Sequence, residues 1–155
     1  MSDCTREARL RAHIEKRLMS CDYLLARAHG RLAAWYAGAD RLAVPDANRA
    51  AIDEVNELSV TLLKVRVDAL RGWRLMLATG DASLTVKLIW SAYRFQKEVM
   101  ADESPPSAPS GPLPRKRGEE IAVVRAQMDE ANLALGAWDG PEDTIEMMEG
   151  DRNVA

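Results

Sequence analysis

The sequence is poor in aromatic residues and contains no long apolar run. Only 5% of its 155 residues are aromatic, with a single phenylalanine. Since strands favour aromatic and β-branched residues, whereas alanine and leucine are abundant here, this composition predicts helices rather than sheets. No stretch approaches the roughly 18 apolar residues of a membrane span. Because the charged N-terminus also lacks the apolar segment of a secretion signal, we expect a cytoplasmic protein of one domain.

Cysteines and histidines are equally scarce, with two of each. Cys4 and Cys21 lie on one predicted helix, as do His13 and His29, and each pair is separated by about 25 Å. This distance excludes a disulfide between the cysteines and a metal site shared by the histidines. No P-loop, Cys-x-x-Cys, nucleophile-elbow or dinucleotide-binding motif occurs. The sequence therefore gives no catalytic residue, metal site or cofactor, and favours a non-enzymatic role.

Apolar residues recur at alternating spacings of three and four in four stretches, which is typical of helices in bundles and coiled coils. We predict an all-α fold whose core is formed by these stripes, with Trp35, Leu62, Phe95 and Trp138 as core or interface anchors. The stripes are Ile14, Leu18, Cys21, Leu25, Ala28, Leu32 and Trp35; Ala51, Val55, Leu58, Leu62, Val65, Ala69, Gly72 and Met76; Leu84, Leu88, Ala92, Phe95 and Val99; and Ile121, Val124, Met128, Ala131, Leu135 and Trp138.

Turn signals separate the first three stretches. Gly38 and Pro45 mark the end of the first helix and the start of the second. Thr79-Gly80-Asp81 marks a tight turn, with Asp81 or Ser83 as the cap of the third helix. Because short connections join antiparallel neighbours, residues 1–102 are predicted to form an antiparallel three-helix body.

The rest of the chain differs in composition from this body. Residues 103–118 contain five of the seven prolines, which predicts a flexible linker. Residues 119–139 are predicted to form a fourth amphipathic helix, and residues 140–155 an acidic disordered tail. An amphipathic helix of this length is marginal in isolation, so it must dock. The sequence leaves open whether it completes a four-helix bundle or binds a partner groove through Ile121, Val124, Met128, Leu135 and Trp138.

Charge is distributed unevenly along the chain. Residues 119–155 carry ten acidic and two basic side chains, so this arm either repels nucleic acid or covers a basic surface. A basic and aromatic stripe on the third helix is able to bind phosphates and stack a base. The alternative is an ordinary solvated face, and we interpret the basic cluster at 115–117 as solubilising. The candidate nucleic-acid-binding residues are Arg71, Arg74, Lys87, Trp90, Arg94 and Lys97.

Residues 10–49 resemble the helical chorismate mutase family. The sequence departs from the family pattern at Tyr36, where the family has lysine, and at Ala50, where it has glutamate. The resemblance implies a small helical enzyme, degenerate in its motif, that gathers Arg11, Arg27, Arg49 and Gln96 around an anionic ligand. The matching segments are Leu10–Glu15, Leu24–Arg27, Ala33–Trp35 and Asp46–Arg49, and Gln96 is similar to the family's late glutamine.

In residues 60–100, a helix that ends in Ala78-Thr79-Gly80-Asp81 is followed by a helix rich in valine, leucine and arginine. This pattern resembles helical hairpins of phage DNA-packaging accessory subunits. Three functions are therefore open: an assembly or protein-interaction subunit, which is our leading hypothesis, a nucleic-acid-binding accessory protein, and a small helical enzyme. The first predicts a protein partner or self-association, and none of the three involves a membrane.

Overall fold

The computed structural model of the chain describes residues 3–102 and 115–154, with side chains described between residues 4 and 101 and between residues 118 and 140. It contains five helices: α1 (Asp3–Ala37), α2 (Ala39–Ala43), α3 (Asp46–Thr79), α4 (Ala82–Asp102) and α5 (Arg115–Val154). These described ranges include no strand, which confirms the predicted all-α class. Residues 103–114 of the predicted linker lie outside these ranges, and residues 115–118 form the start of α5.

Helix ends follow the turn signals of the sequence. α1 ends one residue before Gly38, and α3 begins directly after Pro45. The Asp81 carboxylate accepts a hydrogen bond of 2.9 Å from the Ser83 amide, so Asp81 caps α4 as predicted. The five-residue helix α2 in the first connection was not predicted, because a single helical turn has no periodicity to read.

The four long helices alternate in direction. Arg11 near the start of α1 donates a 2.6 Å hydrogen bond to the Leu77 carbonyl near the end of α3. At the opposite end of this pair, Tyr36 of α1 donates to Glu57 of α3. α5 runs antiparallel to α1, since Arg9 and Arg17 contact Trp138 and Glu130 respectively. α4 packs along α5, where Gln96 donates a 2.9 Å hydrogen bond to Gln127.

The fourth amphipathic helix packs on its own chain. α5 contacts α1, α3 and α4, whereas α3 and α4 contact each other less extensively. The arrangement is a helical bundle in which α5 lies between the α1–α3 pair and α4. α5 supplies most of the surface that α4 covers.

The core confirms the predicted stripe of α1 but not those of α3 and α4. Ile14, Leu18 and Cys21 are buried as expected. On α3, however, Val55 is 63% exposed, and the buried residues lie in a different register. The predicted stripe of α4 faces away from the core, so Phe95 is not a core anchor. The buried cluster comprises Leu10, Ile14, Leu18, Cys21, Val67, Leu70, Leu77, Ala82, Ile89, Ala131 and Ala134.

Gly140 interrupts α5 at the predicted end of the fourth helix. Its backbone has φ 89° and ψ 159°, which lies outside the helical region and is adopted readily only by glycine. Helical backbone continues from there to Val154, through the segment for which we predicted a disordered tail, and that prediction stays untested.

Within residues 3–102 and 115–154, no helix is long and apolar enough to cross a membrane.

Candidate functional site

Helix α4 presents apolar side chains on two different faces. Thr85 and Ile89 are buried in the bundle, at 2% and 0% exposure. Leu84, Leu88 and Phe95 are 55%, 47% and 67% exposed. We call these last three residues the outer stripe. Their spacings of four and seven residues place them on one line along the helix, about 16 Å long.

The outer stripe differs from scattered surface apolar residues because its members lie on one line along α4, with Ser91 between Leu88 and Phe95. Isolated exposed leucines are normal on protein surfaces, whereas a contiguous apolar patch marks an interaction site. Burying each of these side chains completely contributes about 1.5–3 kcal/mol, in proportion to the area removed from water. A helix docked along α4 would gain part of this free energy.

A second surface lies on the flank of α4 that faces α5. Trp90 and Tyr93 stack with their ring centroids 5.7 Å apart and an angle of 18° between the rings. They line an open depression of about 370 Å³ together with Arg94 and Lys97. Trp90 also lines a neighbouring depression of about 320 Å³, with Val86, Lys87, Leu135, Trp138 and Asp139. We call the two together the basic groove.

The structure brings together four of the six candidate nucleic-acid-binding residues. Lys87, Trp90, Arg94 and Lys97 line the basic groove and are all exposed. Arg71 and Arg74 do not join them, because they face carboxylates of α1. Arg71 lies 3.4 Å from Asp22, and Arg74 lies 3.7 Å from Glu15. These two arginines belong to the α1–α3 surface.

The five candidate partner-binding residues of α5 are used within the chain. Ile121, Val124 and Met128 are partly buried, and Leu135 and Trp138 pack against the core. The guanidinium of Arg6 lies 5.9 Å from the ring centroid of Trp138. A partner helix would have to displace contacts of the bundle to reach these side chains.

A buried carboxylate that sequence reasoning missed joins three helices. Glu130 of α5 is fully buried and accepts hydrogen bonds from Arg17 of α1 and from Arg66 of α3, the latter at 3.1 Å. Arg17 has a raised pKa because of its hydrogen bond to this carboxylate. Buried alanines four residues before and after Glu130, at 126 and 134, were the signal in the sequence that this acid faces the core.

Burial shifts the pKa values of Cys21 and His13, which lie near Glu130, against their charged forms. The Cys21 sulfur lies 3.9 Å from the carboxylate, and burial raises the pKa of its thiol, which disfavours the nucleophilic thiolate. His13 is partly buried, and its Nε2 has no hydrogen-bond partner in the described part of the chain. Burial lowers its pKa, so it is held in the neutral form.

Asp53 fixes the corner formed by α1, α2 and α3. Its carboxylate accepts hydrogen bonds from Arg41, at 2.7 and 3.0 Å, and from the Trp35 indole, at 2.6 Å. The pKa of Asp53 falls to about 2, chiefly because of Arg41 and then Trp35. Trp35 is thus a partly buried anchor, as predicted, but it also has a polar role that periodicity does not reveal.

The residues suggested by the mutase resemblance engage separate partners. Arg11 binds Glu7 and the Leu77 carbonyl, and Arg49 binds backbone carbonyls around α2. Arg27 lies over the Tyr23 ring, and Gln96 binds Gln127. These contacts place the four side chains at different points of the bundle rather than around one ligand.

Among the described side chains, no group of three or more His, Cys, Asp or Glu residues is arranged to hold a metal ion. Comparison with known protein families, curated proteins and solved structures gives no significant match to this chain.

Proposed function

We propose that this protein is a non-enzymatic assembly subunit that associates with a second copy of itself through the outer stripe of α4. The supporting observation is the exposure of Leu84, Leu88 and Phe95 on a side of α4 that does not face the core. A helix with apolar residues on both faces buries only one of them in its own bundle. The second face is then available to another helix.

Charge on α4 favours parallel pairing of the two copies. Lys87 and Arg94 flank the outer stripe and are seven residues apart. In an antiparallel pair the two basic flanks would face each other, at an electrostatic cost. In a parallel pair they face Ala92 and Val99 of the other copy, which their aliphatic stems can cover.

The short outer stripe sets the strength of the association. A stable interface usually buries about 1,200–2,000 Å² in total, and a stripe of three large side chains provides less than this. We therefore expect a dimer that dissociates on dilution.

Sedimentation velocity over a wide range of protein concentration tests this function. We expect the double variant Leu88→Gln/Phe95→Gln to remain monomeric at concentrations where the unmodified protein associates. Val55→Gln is the matched control, because Val55 is a similarly exposed apolar residue on α3. A monomer at every concentration, or an equal loss of association in the control, contradicts the proposal.

A second function, nucleic-acid binding, is supported by the aromatic pair in the basic groove, in which Trp90 is exposed and Tyr93 is partly buried. Trp90 and Tyr93 offer a stacking surface, and Lys87, Arg94 and Lys97 supply charge for phosphates. Binding of a single-stranded oligonucleotide, followed by fluorescence anisotropy, should weaken steeply with salt.

Charge reversal separates this function from general electrostatic attraction. Lys87→Glu/Arg94→Glu should abolish binding, whereas Arg27→Glu/Arg31→Glu, on exposed positions of α1, should retain most of it. Equal losses in both variants would show that the basic groove has no special role.

A further inference from the structure

The basic groove lies next to the point where α5 is interrupted. Asp139 lines the same depression as Lys87 and Trp90, and Gly140 follows immediately. Because α4 is antiparallel to α5, Lys87 is the nearest of the three cations to Gly140, and Arg94 and Lys97 lie progressively farther from it along α4. The left-handed backbone of Gly140 breaks the helix there and permits a change of chain direction. The segment after Gly140 therefore starts at one end of the basic groove.

The segment after Gly140 is acidic, whereas the groove has three cations, Lys87, Arg94 and Lys97, beside two carboxylates, Glu98 and Asp139. Residues 141–155 carry five carboxylates and one arginine. Glu142 and Glu149 are seven residues apart, as are Lys87 and Arg94. In helical conformation this spacing corresponds to about 10.5 Å in both cases, so two charge pairs can form in one register.

Apolar residues of the segment suit the aromatic wall of the groove. Ile145, Met147 and Met148 lie between Glu142 and Glu149 in the sequence. Methionine is flexible and its sulfur makes favourable contacts with aromatic rings. The Trp90–Tyr93 pair, positioned between Lys87 and Arg94 along α4, provides such rings. The order of charged and apolar groups is thus the same in the segment and in the groove.

We propose that residues 141–155 fold back along α4 and bind the basic groove of their own chain. This inference goes beyond self-association, because it concerns the flank of α4 and not its outer stripe. Binding within one chain is favoured by the high effective concentration that a direct connection at Gly140 provides. The segment competes with any anionic ligand of the groove, a single-stranded nucleic acid included.

Paramagnetic relaxation in the full-length protein tests this contact. A nitroxide label is attached to Met147→Cys in a Cys4→Ser background, which removes the exposed native thiol. We expect the amide signals of residues 87–97 to lose intensity, and those of residues 41–53 at the far corner to keep it. The loss should diminish as salt is raised. Unchanged intensities at 87–97 would overturn the proposal.

A charge swap makes the test specific. Lys87→Glu/Arg94→Glu should abolish the intensity loss, and adding Glu142→Lys/Glu149→Lys should restore it. Glu119→Lys/Glu120→Lys is the matched control, since both residues are exposed at the start of α5, and it should leave the contact unchanged. Failure of the swap to restore the contact would argue against the proposed register.

Mixing distinguishes contact within a chain from contact between chains. Isotope-labelled protein without nitroxide is mixed with unlabelled protein that carries it. Intensity loss at residues 87–97 in this mixture contradicts binding in the same chain, and its absence supports it. Both proteins in the mixture carry Leu88→Gln/Phe95→Gln, so that self-association through the outer stripe does not bring the label of one chain close to α4 of the other.

Discussion

Glu130 is the residue whose removal should affect stability most through charge. Glu130→Ala leaves Arg17 and Arg66 without their shared carboxylate, while both arginine side chains are only 30% and 23% exposed. Breaking a buried ion pair by removing one partner costs about 3 kcal/mol or more. We expect a decrease of about 3 kcal/mol in the free energy of unfolding, measured by urea denaturation.

Asp129→Ala is the control for this prediction. Asp129 is the neighbouring acid, pairs with Arg66 at 3.4 Å and is 59% exposed. Exposed pairs contribute at most about 1 kcal/mol, so this variant should be much the milder of the two. Similar decreases in the free energy of unfolding of the two variants would mean that the burial of a carboxylate does not determine how much it contributes to stability here.

His13 should make stability depend on pH in the mildly acidic range. Its pKa is lowered from 6.5 by burial, so the unfolded chain binds a proton more readily than the folded protein. The contribution of His13 is therefore present above the unfolded pKa and is lost as the pH falls through and below it. We expect the urea midpoint to decrease between about pH 7.5 and about pH 5.5, and to decrease less in His13→Phe. Parallel pH profiles for the two proteins would refute this role.

At the scale of the element, alanine substitutions at two adjacent residues of α4 should differ strongly in their effect on the free energy of unfolding. Ile89 is fully buried, whereas Leu88 is 47% exposed. Ile89→Ala should lower the free energy of unfolding by about 3 kcal/mol, because it leaves a cavity. Leu88→Ala should change it by less than about 0.5 kcal/mol. Thermal denaturation at low protein concentration, where association is weak, checks both values.

This contrast also explains how far the sequence could predict the helices. Periodicity predicts the four long helices, and Gly38, Pro45 and Asp81 mark the end of α1 and the starts of α3 and α4, as observed. The short helix α2 was not predicted, and α5 begins at Arg115 rather than at residue 119. The buried face of α1 was also predictable, since Ile14, Leu18 and Cys21 lie on its main apolar stripe. α4 has two apolar faces, and periodicity alone does not say which one meets the core.

The candidate functional residues could likewise be grouped from the sequence only where they lie on one helix. Lys87, Trp90, Arg94 and Lys97 share a helix, so their spacing sufficed to group them. Glu130 was missed because its partners, Arg17 and Arg66, lie on other helices and the contact depends on tertiary packing. Arg71 and Arg74 were grouped with α4 on chain proximity, although their carboxylate partners belong to α1.

For the whole molecule, α5 should be required for cooperative folding. It contacts α1, α3 and α4, and it supplies Ala131 and Ala134 to the core. A chain that ends at residue 102 would expose the apolar surfaces of three helices, and we expect it to unfold without a sharp transition by circular dichroism. Added peptide 115–155 should restore part of the cooperativity. Sharp unfolding of the 1–102 chain would show that the first three helices are sufficient.

The unequal exposure of the two cysteines makes it possible to measure how often the bundle opens. Cys4 is exposed, whereas Cys21 is fully buried beside Glu130, where α1, α3 and α5 meet. A thiol reagent should therefore modify Cys4 at once and Cys21 only when these helices separate. The delay between the two modifications measures how often the centre of the protein admits solvent, without any engineered probe.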